Sequence, residues 1–237
     1  MSIDSFQFKE FSVRHDRCSM KVGTDGVLLG SWAGQLSTIN YQLSTVLDIG
    51  TGSGLIALML AQRFPEARIM GIDIDLASVE QARENVAASP FENRIGIRHA
   101  SLEDFCEGTY QLIVSNPPFY EEDTQSKTAQ MHRAKHTSSL TFEQLIEGVD
   151  RLLDKDGMFE VIVPYSAAER FIGEAAMRGL YLIRRCNVKG SPTRPFKRTM
   201  MTFGRTPRET EHTLLIIRTP QNTYSEEYKR LTQAFYL

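Results

Sequence analysis

What this chain lacks narrows its identity before any motif is read. It has three cysteines, Cys18, Cys106 and Cys186, far apart and without a C-x-x-C pair. That excludes a disulfide framework and a cysteine-built zinc site, and it fits a reducing compartment. It lacks an excess of either charge: 27 Lys and Arg against 29 Asp and Glu give a formal net charge of -2. No global cationic field draws it to nucleic acid or membrane, so any such binding has to come from local patches. No apolar run approaches the length of a bilayer span. The opening "MSIDSFQFKEF" has neither the basic region nor the apolar core of a secretory signal. Internal repeats and low-complexity tracts are also missing. The expectation is a cytoplasmic protein with no membrane partner. Its 237 residues, 41% hydrophobic and 24% charged, suit one α/β domain with a small extension.

What is present is a regular alternation. "FQFKEFSV" reads as a short strand, and "TDGVLLGSWAG" as a short helix with Thr24 as N-cap and Gly34 as stop. From residue 45 a buried strand "TVLDIG" leads to a helix "LIALMLAQRF" closed by Pro65. The strand "ARIMGIDI" follows, then the amphipathic helix "LASVEQARENVAAS" up to Pro90. "RIGIRHA" and "YQLIVSN" are strands, "TFEQLIEGVDRLL" a helix capped by Thr141, and "GMFEVIVP" a strand. The helix "SAAERFIGEAAMRGL" precedes three strands, "LYLIRRCNV", "RTMMTFG" and "TLLIIRT", with no long helix between them, and "SEEYKRLTQAFYL" closes the chain as a helix. Strands alternating with helices predict a doubly wound, mostly parallel sheet, here of seven strands with antiparallel strands at one edge. The organisation read is a cap segment over residues 1–40 and one α/β domain over residues 41–237.

Chemistry concentrates at the strand ends. "LDIGTGSGL" places Asp48, Gly50, Gly52 and Gly54 between a strand and a helix. Glycines let the backbone turn tightly beside a ligand, and the helix N-terminus turns free N–H groups toward it. The spacing is G-x-G-x-G, with Leu55 where a dinucleotide loop wants a third small residue, which suits a nucleoside without phosphates. The next strand ends "GIDID". Asp73, about 20 residues past Gly50, is positioned to accept ribose hydroxyls. Asp75 reads as the cap of the following helix, and Ile74 as the face for an adenine ring.

"SNPPF" sets a displayed amide on a corner stiffened by two prolines at the end of a strand. An exocyclic aromatic amine is a poor nucleophile because its lone pair is shared with the ring. Two acceptors on its two hydrogens, the Asn116 side-chain oxygen and the Pro117 carbonyl, favour a pyramidal nitrogen. Pro118 stiffens the corner, and Phe119 is placed to stack on the target base.

Together the glycine loop, Asp73 and this corner resemble, in order over residues 45 to about 205, the S-adenosylmethionine-dependent methyltransferase fold of Rossmann-like class I. The resemblance implies S-adenosylmethionine as cofactor and Asp48 near its methionine amino group. It also implies that "HASLEDF" lines the adenine, with Ser101 and Leu102 against it and Asp104 three residues on. "NPPF" is similar to the [DNS]-PP-[YFW] motif of methyltransferases that modify amino or amide nitrogens, and the motif alone leaves adenine N6, guanine N2 and glutamine N5 open. A glutamine methyltransferase resembles a chain with a larger N-terminal helical domain than the residues available here. A guanine-N2 enzyme remains the closer rival, and a chemically inert RNA-binding module is opposed by the intact Asp48, Asp73 and Asn116.

The flanks point to RNA. Residues 120–140 read as a long polar loop in which Lys127, His132, Arg133, Lys135 and His136 form a cationic patch. "HRAKH" lacks the glutamate of H-E-x-x-H, so no metal is expected. "KGSPTRPFKR" sets Lys189, Arg194, Lys197 and Arg198 around prolines and an aromatic, a composition suited to phosphate contact with stacking. The residues expected on RNA are Lys127, Arg133, Lys135, Arg194, Lys197 and Arg198. The segment "RHDRCSMKVGTDGVLLGSWA", with the closing "YKRLTQAFYL", resembles the family of tRNA1(Val) adenine N6-methyltransferases, which modify the purine next to the anticodon. That resemblance implies a tRNA partner, and it implies that Lys21, Thr24 and Asp25 cover the cofactor pocket.

Overall fold

The computed structural model of the chain describes residues 5–18, 21–35, 43–118 and 140–236. The first short strand of the sequence is in fact a hairpin. β1 (Ser5–Gln7) and β2 (Ser12–Arg14) pair antiparallel, because Lys9 and Glu10 turn the chain between the two apolar stretches. Helix α1 (Thr24–Trp32) follows. Its N-cap is Gly23 in an extended conformation, so Thr24 is the first helical residue and not the cap. Gly34, just past the end, takes a left-handed φ of 70°, as a helix stop requires.

The alternating core then runs through β3 (Thr45–Ile49), α2 (Leu55–Arg63), β4 (Arg68–Asp73), α3 (Leu76–Ala87), β5 (Ile95–His99) and β6 (Tyr110–Ser115). It continues through α4 (Phe142–Leu152), β7 (Leu153–Pro164), α5 (Ala168–Met177), β8 (Tyr181–Lys189), β9 (Phe196–Gly204), β10 (Glu211–Ile216) and α6 (Glu226–Thr232). Two predicted caps are built as read. Asp75 accepts from Ser78 N at 3.1 Å at the head of α3, and Thr141 with Gln144 forms a capping box at the head of α4.

The main sheet has eight strands where seven were expected, in the order β10-β8-β9-β7-β6-β3-β4-β5. From β7 to β5 every pairing is parallel. β9 inserts between β7 and β8 and is antiparallel to both, as the missing crossover helix predicts. β10 then adds outside β8 in parallel, so the edge is only partly antiparallel. Apolar side chains cover both faces. One cluster lies under α1, α2 and the N-terminal hairpin and includes Phe8, Val13, Leu29 and Leu58. The other lies under α4 and α5 and includes Leu145, Val149, Phe159 and Phe171. Because β3, β4, β6 and β7 are parallel, their C-terminal ends share one edge of the sheet. This is where an open α/β sheet binds its ligands.

Candidate active site

Three chain ends meet on that edge. After β3 the chain turns through Gly50, Gly52 and Gly54 with φ of 70°, 54° and 80°, a left-handed run that a side chain would strain. Gly50 N and Thr51 N donate to Ile72 O at 2.9 and 3.0 Å, which seats the loop on β4. A Cβ built on Gly50 would meet nothing within 4 Å, so this bare backbone faces open space. Gly54 caps α2 without a side-chain bond. No side chain caps the first N–H groups of α2: Ala57 N acts on Asp48, and those of Leu55 and Ile56 precede it at the helix N-terminus, where an anionic group is favoured.

Asp48 lies beneath this loop at zero exposure. Thr51 Oγ1 donates to its Oδ2 at 2.7 Å, while Oδ1 has no hydrogen-bond partner among the described residues. Burial pushes the carboxyl up to about 7 against the pull of Thr51 and of Ala57 N. A buried carboxylate oxygen left without a donor fits a cationic amino group arriving over the loop.

Asp73 ends β4 half-buried. Its Oδ2 accepts from Gly52 N and its Oδ1 from Asp75 N, both at 2.9 Å. Each oxygen keeps a lone pair, enough for two vicinal hydroxyls. Burial raises its pKa, and these backbone bonds oppose the rise. Ile74, next in the chain, is 60% exposed, an apolar face in water beside that carboxylate. Ser101 is tied to Asp104, whose Oδ2 accepts from its hydroxyl at 2.6 Å. Leu102 is buried in the second cluster, where it fills the space that a Cβ on Gly148 would need. Its side chain is thereby committed to the core.

Asn116 follows β6 one strand away from the glycine loop. It is half-buried, and its amide makes no hydrogen bond among the described residues. Pro117 is buried and Pro118 exposed. Phe119 lies outside the described residues, as do Lys127, His132, Arg133, Lys135 and His136. Ser115, fully buried, donates from Oγ to Ile49 O at 2.9 Å and bonds the base of the Asn116 corner to the end of β3.

The structure brings Asp48, the glycines, Asp73, Ile74 and Asn116 to one edge. Lys21 and Thr24 are exposed at the head of α1. That head is drawn to the same edge because Asp25 Oδ2 accepts from Arg198 Nε at 2.7 Å. Arg198 is thus committed to a carboxylate, whereas Arg194 and Lys197 are exposed with no such partner among the described residues. Several site residues escaped the sequence reading. Thr51 and Ser115 are two. Asn85 is a third: its Nδ2 donates to Arg14 O and Ser53 O, both at 2.8 Å, pinning the N-terminal segment to the glycine loop. Gln81 supports that contact by accepting from Arg17 N at 3.1 Å. The signal for Asn85 and Gln81 was a polar side chain on the apolar face of α3.

Comparison with known proteins agrees with this geometry. Residues 35–178 match the family described as Methyltransferase small domain. In fold, the chain resembles the crystal structure of a predicted O-methyltransferase from Agrobacterium tumefaciens, with a TM-score of 0.66 at 17% identity over 89% of this chain and 96% of that one. Among curated proteins, a tRNA1(Val) (adenine(37)-N6)-methyltransferase of Flavobacterium psychrophilum is 44% identical over 98% of this chain and 99% of its own length. One of Erwinia tasmaniensis is 43% identical over 99% and 95%. The glycine loop, the carboxylate at the end of β4, the amide at the end of β6 and this likeness along nearly the whole chain converge, and the protein belongs to the tRNA1(Val) (adenine(37)-N6)-methyltransferase family, within the methyltransferase small domain family.

Proposed function

We propose that this chain methylates the N6 amine of an adenine in a tRNA, with Asn116 and Pro117 as the acceptors that prepare the amine. The substrate in view is the one in the relatives' name, adenine 37 of tRNA1(Val), and the setting is the cytoplasm. S-adenosylmethionine, the cofactor of this fold and family, supplies an electrophilic methyl when bound. The residues fit it: Asp48 Oδ1 lacks a partner among the described residues, Gly50 faces open space, and Asp73 keeps lone pairs for a ribose. Asp48 offsets its amino group, Asp73 holds its ribose hydroxyls, and Ile74 covers its adenine.

The chain's own chemical task is alignment and release of a lone pair. The Asn116 side-chain oxygen and the Pro117 carbonyl accept one amine hydrogen each, drawing the nitrogen out of conjugation. The proline corner keeps both acceptors still at about the 3–3.5 Å separation that productive alignment needs. Phe119 stacks on the target base, and the proton leaves to water after transfer, so no side-chain base is required. Arg194 and Lys197, with Lys127, Arg133 and Lys135 of the sequence after Phe119, hold the RNA phosphates. A tRNA loop exposes its bases, so extrusion costs less than from a duplex.

The observation that carries this reading is the Asn116 amide at the end of β6, without a hydrogen-bond partner among the described residues and joined through Ser115 to the strand that carries the glycine loop. Its test is transfer of labelled methyl to unmodified tRNA, followed by nucleoside mass spectrometry. N6-methyladenosine is expected. Asn116→Ala lowers kcat by at least about a thousandfold and leaves cofactor affinity within a few-fold, the pattern of an interaction made in the transition state. Appearance of N2-methylguanosine, or near-normal turnover by the alanine variant, overturns the assignment.

A further inference from the structure

Two aromatic rings beside this site are used neither by the chemistry above nor by the core. Tyr165 follows the last residue of β7, and Phe196 opens β9. Their centroids stand 4.8 Å apart at an interplanar angle of 28°, a stacked pair. Neither ring belongs to either hydrophobic cluster, and Tyr165 is 37% exposed. Cations flank them. Lys189, the register partner of Phe196, holds its ammonium 4.5 Å from the Phe196 centroid. The Arg185 guanidinium lies 5.8 Å from the Tyr165 centroid and is held at 2.7 Å by Glu169. Arg194, in the β8–β9 connection that Pro192 and Pro195 stiffen, and Lys197, on β9, are exposed.

Topology puts this ledge next to the chemistry. β9 runs antiparallel to β7 and begins where β7 ends, with Arg198 opposite Pro164. The rings therefore stand on the edge that carries Asn116. In the sheet order Phe196 on β9 is two strand positions from β6, roughly 10 Å at the usual inter-strand spacing, and Tyr165 at the end of β7 is one. A core role does not account for rings left outside both clusters. Flat π-faces amid cations, some without a carboxylate, match a nucleobase on its charged backbone.

We propose that Tyr165 and Phe196 form a stacking platform for an unpaired base flanking the methylated adenine, with Arg194 and Lys197 on the adjoining phosphates. This rests on RNA being the substrate, as proposed above. It adds that the enzyme holds a neighbouring nucleotide as well as the target.

The test uses the full chain and an anticodon stem-loop RNA carrying 2-aminopurine at an unpaired position beside the target adenine. Wild type is expected to quench the probe on binding. Tyr165→Ala and Tyr165→Leu are both expected to lose the quench and to raise the KM for RNA about tenfold, with kcat at saturating RNA within about twofold and cofactor affinity unchanged. Tyr165→Trp, which keeps a π-face, is expected to restore the quench. Substituting Arg194 and Lys197 by Ala together should reduce the salt slope of RNA binding by about one to two. If Tyr165→Leu binds and quenches like wild type, or if the quench survives in the Tyr165→Ala, Phe196→Ala double variant, the platform is refuted. The two readings fail separately. Absence of methyl transfer by wild type removes the catalytic reading, while binding and quench still decide the platform. Normal transfer with an unperturbed KM in the double variant removes the platform alone.

Discussion

Two carboxylates lie at zero exposure in the same sheet, Asp48 on β3 and Glu160 on β7, and burial pushes the pKa of each upward. Their surroundings differ. Glu160 accepts from Thr202 Oγ1 at 2.8 Å and from Gly34 N at 2.7 Å, and the charges of Arg184 and Arg63 offset its own. Those guanidiniums are in turn used on α1 and its exit: Arg63 donates to Gly30 O and Ser31 O, and Arg184 to Trp32 O and Gln35 O, the latter guanidinium lying 3.5 Å from the Trp32 centroid. Asp48 has the Thr51 hydroxyl donor and the pull of Ala57 N, but among the described residues one of its oxygens has no hydrogen-bond partner and no cation offsets its charge. A satisfied buried charge is scaffold, here fastening α1 to the sheet. An unsatisfied one beneath an open glycine loop marks a place where a ligand completes the electrostatics.

The largest effect should come from breaking the satisfied one. Glu160→Ala leaves Gly34 N and the Thr202 hydroxyl unpaired and removes the charge that Arg184 and Arg63 face. The expected loss is about 3–5 kcal/mol of stability by denaturant unfolding. A loss under about 1 kcal/mol would make Glu160 a bystander and erase the contrast with Asp48.

Asp73 should come next, and its effect should fall on binding. Asp73→Ala removes the acceptor for ribose hydroxyls and frees Gly52 N, so cofactor affinity measured by calorimetry should drop about 10- to 100-fold with little change in the melting temperature. Unchanged affinity would move the ribose elsewhere.

Asp48 sharpens the comparison through pH. Its folded pKa is raised to about 7 from an ordinary value of 3.8, so the folded state holds a proton that the unfolded state releases. Stability linked to Asp48 is therefore full below about 3.8 and is lost as pH rises through 7. Without cofactor, Asp48→Asn should be more stable than wild type at pH 8, and the gap should narrow toward pH 5. With cofactor the preference reverses: a bound cation favours ionised Asp48, so wild-type affinity should rise from pH 6 to 8 while the asparagine variant stays flat and about tenfold weaker. Wild-type affinity that does not change across that range would detach Asp48 from the donor.

The same contrast explains what the sequence made legible. Asp73 and Asp75 can be told apart in the sequence because each role is local: one closes an apolar strand, and the other precedes a helix by the capping interval. The parallel half of the sheet followed from hydrophobic runs and glycine punctuation for the same reason. Glu160 was invisible, since "GMFEVIVP" is an apolar strand with one acid in it and its partners come from α1, α2, β8 and β9. β10 was placed at an antiparallel edge because nothing local shows that β9 inserts inside β8 and sends the last strand outward. Thr24 looked like a cap by composition, but the helix begins one residue earlier than that pattern implies. Tyr165 and Phe196 sit far apart in the chain, and only the β7–β9 pairing makes them neighbours.

Ser115 carries the smallest expected effect and tests how tightly the ends of β3 and β6 are coupled. Backbone pairing already sets Ile49 opposite Ser115, so the hydroxyl bond to Ile49 O adds to a register that exists without it. Ser115→Ala should therefore spare folding and cofactor affinity. It should lower kcat a few-fold, because Asn116 is attached directly to the residue that loses its tether while the glycine loop keeps its own seat on β4 through Ile72 O. Ser115→Thr, which keeps the hydroxyl, should recover part of the loss. A fall in cofactor affinity equal to the fall in kcat would mean that the bond holds up the glycine loop rather than the amide. The edge would then behave as one rigid unit instead of two ends aligned by a single buried hydroxyl.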